Sequence, residues 1–360
     1  MQQDAIFTSA RSMKPSGSAM RFMQLQLKMQ RLRQQCRFTT ADMGRIVTLT
    51  EFMINDQHMH PDATGRLTLL LLTIENAGKM IASHVKKTGL VDLIGKTGDT
   101  NTTGDEVKKL DVFANDVLID MLTQCNQVAM IGSEELSEPI LTKEKNAPYD
   151  IFFDPLDGSN NIDTQMVMGT FFSIYRHTHS TLQKGNQQIA AGYILYGSSV
   201  MFVYCAGSGV HGFTYDPSIG SFLLSHPSMR VPKNGSRYFV NEANVPFMDM
   251  KAKQFIAHLK EKGTYKQRST GCAVAETHSI LIHGGIFFYP KNTKQKNGKL
   301  RLMYEGNPIG FLMEHAGGKT ITHEKPTLAL QPQDIHQQVP LIFGSEEIVQ
   351  AYIGYPTDLK

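Results

Sequence analysis

The stretch Tyr149–Asp163, Y-D-I-F-F-D-P-L-D-G-S-N-N-I-D, constrains this chain more than any other. Tyr149–Phe153 has the aromatic and β-branched content of a buried strand, and Pro155 with Gly158 is expected to end it. The strand then delivers Asp154 and Asp157 into a turn. Hard divalent cations take oxygen ligands from one or two carboxylates and keep positions open, which Asp-x-x-Asp with the Leu156 carbonyl supplies. Gly158 and Ser159 follow with backbone N–H groups suited to an anion. A bare D-x-x-D-G is most often a solvated surface turn. The full D-P-L-D-G-S-x-N-I-D behind an apolar strand is far more specific.

A second segment repeats this grammar. Val128–Ile131 reads as a short strand ending in Gly132-Ser133-Glu134-Glu135. If the two strands are neighbours, four carboxylates gather at one sheet edge, and their repulsion is relieved only by cations. Around them, Leu67, Leu70, Leu71, Ile74, Ala77, Ile81 and Val85 mark one face of a long helix that starts near Thr64-Gly65. Val107, Leu110, Ala114, Val117, Leu118 and Met121 mark a second, flanked by Asp105 and Asp111. Gly89–Gly104, rich in Gly and Thr, reads as a mobile loop. Short apolar runs from Thr170 to Leu224 predict strands of an antiparallel or mixed sheet, and Pro227–Ser236 a domain junction. Beyond it lie a strand at Tyr238–Asn241, a helix at Lys251–Lys262, a strand at Gly285–Tyr289 and a helix from Asn307-Pro308 to Gly317-Gly318.

Composition limits what this framework can be. With 360 residues, 41% apolar and 19% charged, the chain can bury the cores of two domains. A net charge of +3 is too small to argue for nucleic acid, and no apolar stretch is long enough to span a membrane. The cysteines Cys36, Cys125, Cys205 and Cys272 show neither zinc nor disulfide spacing, so a reducing compartment is expected. Residues 1–40 carry seven basic residues against the one acid Asp4. Phe22, Leu25, Met29 and Leu32 recur there at helical spacing, so this extension is either a basic tail or an organellar presequence.

The motifs resemble a known family. Asp154–Asp163 is similar to the signature of the lithium-sensitive, metal-dependent phosphomonoesterases. With T-G-D-E-V-K-K-L-D (Thr103–Asp111), G-S-E-E (Gly132–Glu135), G-G-I-F-F-Y-P (Gly284–Pro290) and G-K-L-R-L-M-Y-E-x-N-P (Gly298–Pro308), the pattern resembles class I fructose-1,6-bisphosphatase. The resemblance implies an α/β (α+β type) fold of layered α-β-α-β-α sugar-phosphatase architecture. Its organisation would be a 1–40 extension, a 41–229 regulatory domain carrying most metal ligands and a 230–360 substrate domain. It implies Mg²⁺ or Mn²⁺, about two to three ions per subunit, held by Asp105, Glu134, Asp154, the Leu156 carbonyl, Asp157 and Glu305. Asp111, Glu135 and Glu134 would serve catalysis. Gly158, Ser159 and Arg301 would bind the 1-phosphate, Asn241, Tyr289 and Lys299 the sugar and distal phosphate, and Arg268 would cross from a neighbouring subunit of a homotetramer. Thr64, Gly65, Thr68, Tyr149 and Arg176 match an inhibitory AMP site, and the expected location is the cytoplasm, or an organelle if residues 1–40 are a presequence.

Departures accompany the resemblance. Asn244 and Ser269 stand where the family has tyrosines that hold the distal phosphate, Asn160 where a serine is usual, and Arg66 and Pro148 where an acid and a lysine are common. They keep two other readings in play: a sedoheptulose 1,7-bisphosphatase or other sugar bisphosphatase, and a non-catalytic phosphosugar-binding paralogue. A loop at His177–Gln188 without cysteine argues against a thioredoxin switch.

Overall fold

The computed structural model describes residues 45–87, 96–100, 106–144, 146–178, 182–323 and 325–356, with backbone alone at 96–100 and 106–109. The first elements are α1 (Leu49–His58), α2 (Arg66–Val85), the antiparallel pair β1 (Lys96–Thr100) and β2 (Glu106–Lys108), and α3 (Lys109–Gln124). Next come β3 (Val128–Ser133), β4 (Ile140–Leu141), β5 (Tyr149–Asp157), β6 (Met168–Arg176), β7 (Gln188–Tyr196), β8 (Val200–Cys205), β9 (Val210–Asp216) and β10 (Ser221–Met229). They form one sheet in the order β10-β9-β8-β7-β6-β5-β3-β4, parallel at β3–β5 and otherwise antiparallel.

The remainder builds a second sheet. Its elements are β11 (Arg237–Phe239), α4 (Met250–Glu261), β12 (Lys266–Arg268), α5 (Ala273–His283), β13 (Ile286–Tyr289), β14 (Leu300–Arg301), α6 (Asn307–His315), β15 (Gly318–Thr322), β16 (Lys325–Pro326), β17 (Gln338–Val339), β18 (Leu341–Ser345) and α7 (Glu346–Ile353). Six strands align as β12-β11-β13-β18-β15-β16, while β14 pairs with β17.

The alternation of strand side chains assigns the layers. Phe172 and Ile174 of β6, Ile194 of β7 and Phe202 and Tyr204 of β8 pack with α1, α2 and α3. Their neighbours Phe171, Tyr193, Met201 and Val203 face the other way and join Val274 and Ile280 of α5 and Ile309 and Leu312 of α6. Phe287 and Phe343 of the second sheet close that middle layer from below. Ile286, Phe288 and Ile342 point outward to Phe255 of α4 and Val349 of α7. The result is the expected α-β-α-β-α stack. Burying one such Phe or Ile contributes about 1.5–3 kcal/mol, so alternation along β6, β7 and β8 is what holds the large sheet between its helices. Gly78 of α2 shows how closely they meet, since a Cβ there would lie 2.3 Å from Ile194 Cδ1. Residues 46–360 form one compact unit.

Three expectations need correction. The strand does not stop at Pro155: β5 runs to Asp157, and the ladder to β6 shifts register between Asp154 and Asp157. Proline removes one donor, and the irregularity absorbs that loss, with Thr170 Oγ1 donating to the Pro155 carbonyl at 2.8 Å. Residues 96–100, read as loop, form a strand because β2 offers them a partner. Val107 belongs to β2 rather than to α3. The 1–40 extension, Cys36 and Asp105 lie outside the described residues. Among the described residues no helix is long and apolar enough to cross a membrane.

Candidate active site

Parallel pairing of β3 with β5 sets Ser133 beside Phe153, so both strands release their acids at one edge. The Glu134 N–H donates to the Phe153 carbonyl at 3.1 Å. The Glu135 N–H donates to Ser133 Oγ at 3.2 Å, and that hydroxyl donates to Asn115 Oδ1 of α3 at 2.7 Å. Asp111, in the first turn of α3, reaches the same cleft, which holds about 860 Å³. Glu305 arrives from the π-helical turn Leu302–Gly306, its carboxylate held by the Arg301 N–H at 2.7 Å. Ligand atoms of Asp154, Asp157 and Glu305 lie within 4.8 Å of one another, and all three side chains are buried.

Such crowding is costly. Burial pushes the Asp154 carboxyl well above its usual range, and the charges of Asp157, Glu305 and Glu135 push it further. Glu305 is raised to about 8 by burial and then by Asp157. Asp157 rises only to about 6, because burial is opposed by the Val274 N–H and the Cys272 thiol. Those donors stand at the start of α5, 2.6 and 3.1 Å from Asp157 Oδ2, where a helix N-terminus favours negative charge. Buried carboxylates this close can all be ionised together only with positive charge between them. The donor set is all oxygen and includes Leu156, whose N–H is bound to Asp154 Oδ1 at 3.0 Å, on the cleft wall. It fits a hard divalent cation.

Gly158 and Ser159 line the floor. Gly158 has φ +80°, and a Cβ there would sit 2.8 Å from Cys272 Cβ, so the turn can pass under α5 only as glycine. Asn241, Tyr289 and Lys299 line the cleft as well. Arg301 forms an ion pair with Glu134. Arg268, on the edge strand β12, is exposed and does not line the cleft of its own chain, its guanidinium donating to the Gln267 carbonyl at 3.0 Å. Of the two departures, Ser269 lines the cleft and Asn244 does not.

Sequence reasoning missed the loop before α5. Glu276 accepts the Thr270 N–H at 2.8 Å, and Asn161 donates to the Thr270 carbonyl at 2.9 Å, tying that loop to the signature turn. Burial raises Glu276 to about 7. An acid in the first turn after Thr270-Gly271 was the available signal, since such acids fold back on preceding amides.

The residues matched to a nucleotide site gather at the start of α2. Gly65 caps that helix at φ +80° without a side-chain hydrogen bond. Thr68 donates to Gln57 Oε1 at 2.8 Å. Arg66 is spent locally: Nε donates to Gln127 Oε1 at 2.7 Å and Nη1 to the Asn146 carbonyl at 3.0 Å. Burial raises the Tyr149 phenol, and the charges of Arg176 and Arg66 pull it down, which places both guanidinium groups within electrostatic reach of that ring.

Layers stacked in this order around an oxygen-lined cation site are those of the sugar phosphatases. Residues 47–227 match the family model described as fructose-1,6-bisphosphatase, N-terminal domain, and residues 231–356 its C-terminal counterpart. A class 1 fructose-1,6-bisphosphatase of Persephonella marina is 46% identical over 85% of this chain and 97% of its own length. One from Chlorobium phaeobacteroides is 45% identical with the same coverage. The holo crystal structure of Leishmania major fructose-1,6-bisphosphatase superposes with a TM-score of 0.80 at 36% identity, over 85% of this chain and 98% of that one. The chain belongs to the fructose-1,6-bisphosphatase family.

Proposed function

We propose that this chain hydrolyses the 1-phosphate of fructose 1,6-bisphosphate, releasing fructose 6-phosphate and phosphate. The observation that carries the reading is the cage of Asp154, Asp157 and Glu305, sharing one cleft with Lys299, Tyr289 and Asn241. Asp105, Glu134 and the Leu156 carbonyl complete the ligand set for Mg²⁺ or Mn²⁺. When bound, such cations supply Lewis-acid charge against the oxygens of the transferring phosphoryl group.

The chain's own groups do the rest. Asp111 and Glu135 are the candidate acceptors for the proton of the attacking water, and burial, which raises the Glu135 carboxyl, strengthens that group as a base. The N–H groups of Gly158 and Ser159 donate to phosphate oxygens as charge develops on them. Arg301 exchanges its Glu134 partner for the 1-phosphate. Asn241, Tyr289 and Lys299 hold the sugar and the distal phosphate, and Arg268 of one subunit completes the cleft of its neighbour in a tetramer. The working boundary between metal and substrate halves is residue 230, and the compartment is the cytoplasm. AMP binds at the start of α2 through Thr64, Gly65, Thr68, Tyr149 and Arg176, but weakly, because Arg66 is engaged elsewhere and Pro148 offers no cation.

A phosphate-release screen over sugar bisphosphates, with and without EDTA, tests the reading. The expected result is the highest kcat/KM with fructose 1,6-bisphosphate, loss in EDTA and recovery with Mg²⁺ or Mn²⁺. A higher kcat/KM with sedoheptulose 1,7-bisphosphate replaces the substrate, a reading that Ser269 on the cleft wall favours. No release from any sugar bisphosphate leaves a phosphosugar-binding paralogue.

A further inference from the structure

The chain leaves the second sheet at its edge. There β12 has β11 as its neighbour, and their parallel ladder ends at Phe239 and Arg268. Residues 269–272 then carry the chain to α5, whose cap Cys272 sits directly over Gly158 of the signature turn. Ser269, Gly271 and Cys272 of this connection line the cleft. Ser269 and Gly271 are exposed on it, whereas Thr270 between them is half-buried.

One peptide group of the connection is gripped from two sides. Glu276 reaches back from the first turn of α5 and accepts the Thr270 N–H at 2.8 Å, and the Gly271 N–H faces the same carboxyl. From the signature turn Asn161 Nδ2 donates to the Thr270 carbonyl at 2.9 Å and to the Val167 carbonyl at 2.8 Å. Both gripping side chains are buried, at 5% and 8% exposure. Packing alone would favour an apolar side chain at 276, so the hydrogen bonds to 270 and 271 are what a carboxyl adds there. The start of α5 is held separately: the Glu276 N–H donates to the Cys272 carbonyl at 3.1 Å, the Val274 N–H donates to Asp157, and Val274 packs in the middle layer. Losing the Glu276 carboxyl therefore frees 269–271 and leaves the donors to Asp157 in place.

We propose that Glu276 is a positioning residue for the sugar phosphate: by fixing the Thr270 peptide against Asn161, it sets how far Ser269 and Gly271 stand from the turn that holds the reacting phosphate. This rests on the hydrolase reading above. Side chains that keep a binding wall in register act on affinity when the groups meeting the reacting atoms are untouched.

Calorimetric titration of the full chain with fructose 6-phosphate in Mg²⁺, beside steady-state kinetics with fructose 1,6-bisphosphate, tests this. Glu276→Met keeps the length and bulk of the side chain and removes the acceptor, whereas Glu276→Gln keeps an acceptor. Glu276→Met should weaken fructose 6-phosphate and raise KM roughly tenfold, about 1.4 kcal/mol. Its kcat should hold within about threefold, its Mn²⁺ affinity should be unchanged, and Glu276→Gln should stay within about threefold of wild type in both constants. Asn161→Ala frees the same peptide from its other side and should weaken fructose 6-phosphate too, which keeps the test decisive if Glu276→Met does not fold. Equal affinity in wild type and Glu276→Met, equal losses in Glu276→Met and Glu276→Gln, weaker Mn²⁺ binding in Glu276→Met, or wild-type affinity in Asn161→Ala overturns the proposal. Calorimetry needs no turnover, so a chain that binds fructose 6-phosphate yet releases no phosphate fails the hydrolase reading and not this one.

Discussion

Residues 46–229 carry 20 Asp and Glu against 11 Lys and Arg, whereas residues 230–360 carry 11 against 17. The two parts meet in the cleft, and they hold their charges differently. On the acidic side Asp154 and Asp157 are short side chains at the end of β5, fixed by the Leu156 and Val274 amides. On the basic side Lys299 and Arg268 are long and exposed, with few fixed contacts. Groups proposed to enclose a small cation gain from rigidity, because a few tenths of an ångström decide its coordination. Groups proposed to receive a flexible anionic sugar can be ordered by the substrate itself, at a cost in rotamer entropy. Glu305 is the exception that joins the halves, an acid from the basic part completing the cage of the acidic one.

The largest effect should follow from touching the rigid side. Asp154→Asn or Glu134→Gln should lower kcat at least about 10²-fold with the fold intact, as for removal of one preorganised electrostatic group. Either variant retaining more than about a tenth of wild-type kcat, with an unchanged circular dichroism spectrum, would sink the assignment of the cage.

A cation added at the helix start comes next. Pro148→Lys should tighten AMP inhibition roughly 10- to 150-fold, the worth of one charge-assisted hydrogen bond of about 1.5–3 kcal/mol, while uninhibited kcat holds. Titrating activity with AMP decides it. Tight inhibition of the wild type would mean that Arg66 leaves Gln127 and Asn146 for the nucleotide.

On the yielding side the change should be smaller. Restoring tyrosines in the Asn244→Tyr, Ser269→Tyr double variant should lower KM for fructose 1,6-bisphosphate by up to about tenfold, near one good hydrogen bond. Ser269 should supply most of it, since Asn244 does not line the cleft. A KM that stays level or rises shows that neighbouring side chains already fill that space.

The smallest effect concerns stability with cations chelated. The folded Glu305 carboxyl, near 8, lies above its ordinary 4.5, so the native state holds a proton that the unfolded chain has released. Stability then falls as pH rises from about 4.5 to about 8. In EDTA, Tm should drop between about pH 5.5 and pH 8. Glu305→Gln should flatten that slope. A slope of the same size in the variant removes Glu305 as its origin.

What could be read from the sequence was what is local. Tyr149–Asp163 and Gly132–Glu135 announce strand-end acids because each motif holds its own strand, turn and carboxylates, and the β3–β5 pairing makes them one edge. The layers followed from the period-two alternation of segments such as β6 and β8. Local rules failed where a distant partner overrides them. Pro155 should break a strand, yet β6 carries the ladder past it through a register shift. Lys96–Thr100 has a loop's composition, yet β2 recruits it into a strand. The Cys272 and Val274 donors to Asp157 are more than 100 positions away in sequence, and no short motif encodes such a meeting.

That separation also sets when the site comes into being. A ribosome emits residues 46–229 well before α5 and the Leu302–Gly306 turn. A nascent chain at that stage owns Asp154 and Asp157 but neither the Val274 amide nor the Glu305 carboxylate. It has acids without a cage, so the cluster of Asp154, Asp157 and Glu305 cannot assemble until residues 302–306 have emerged.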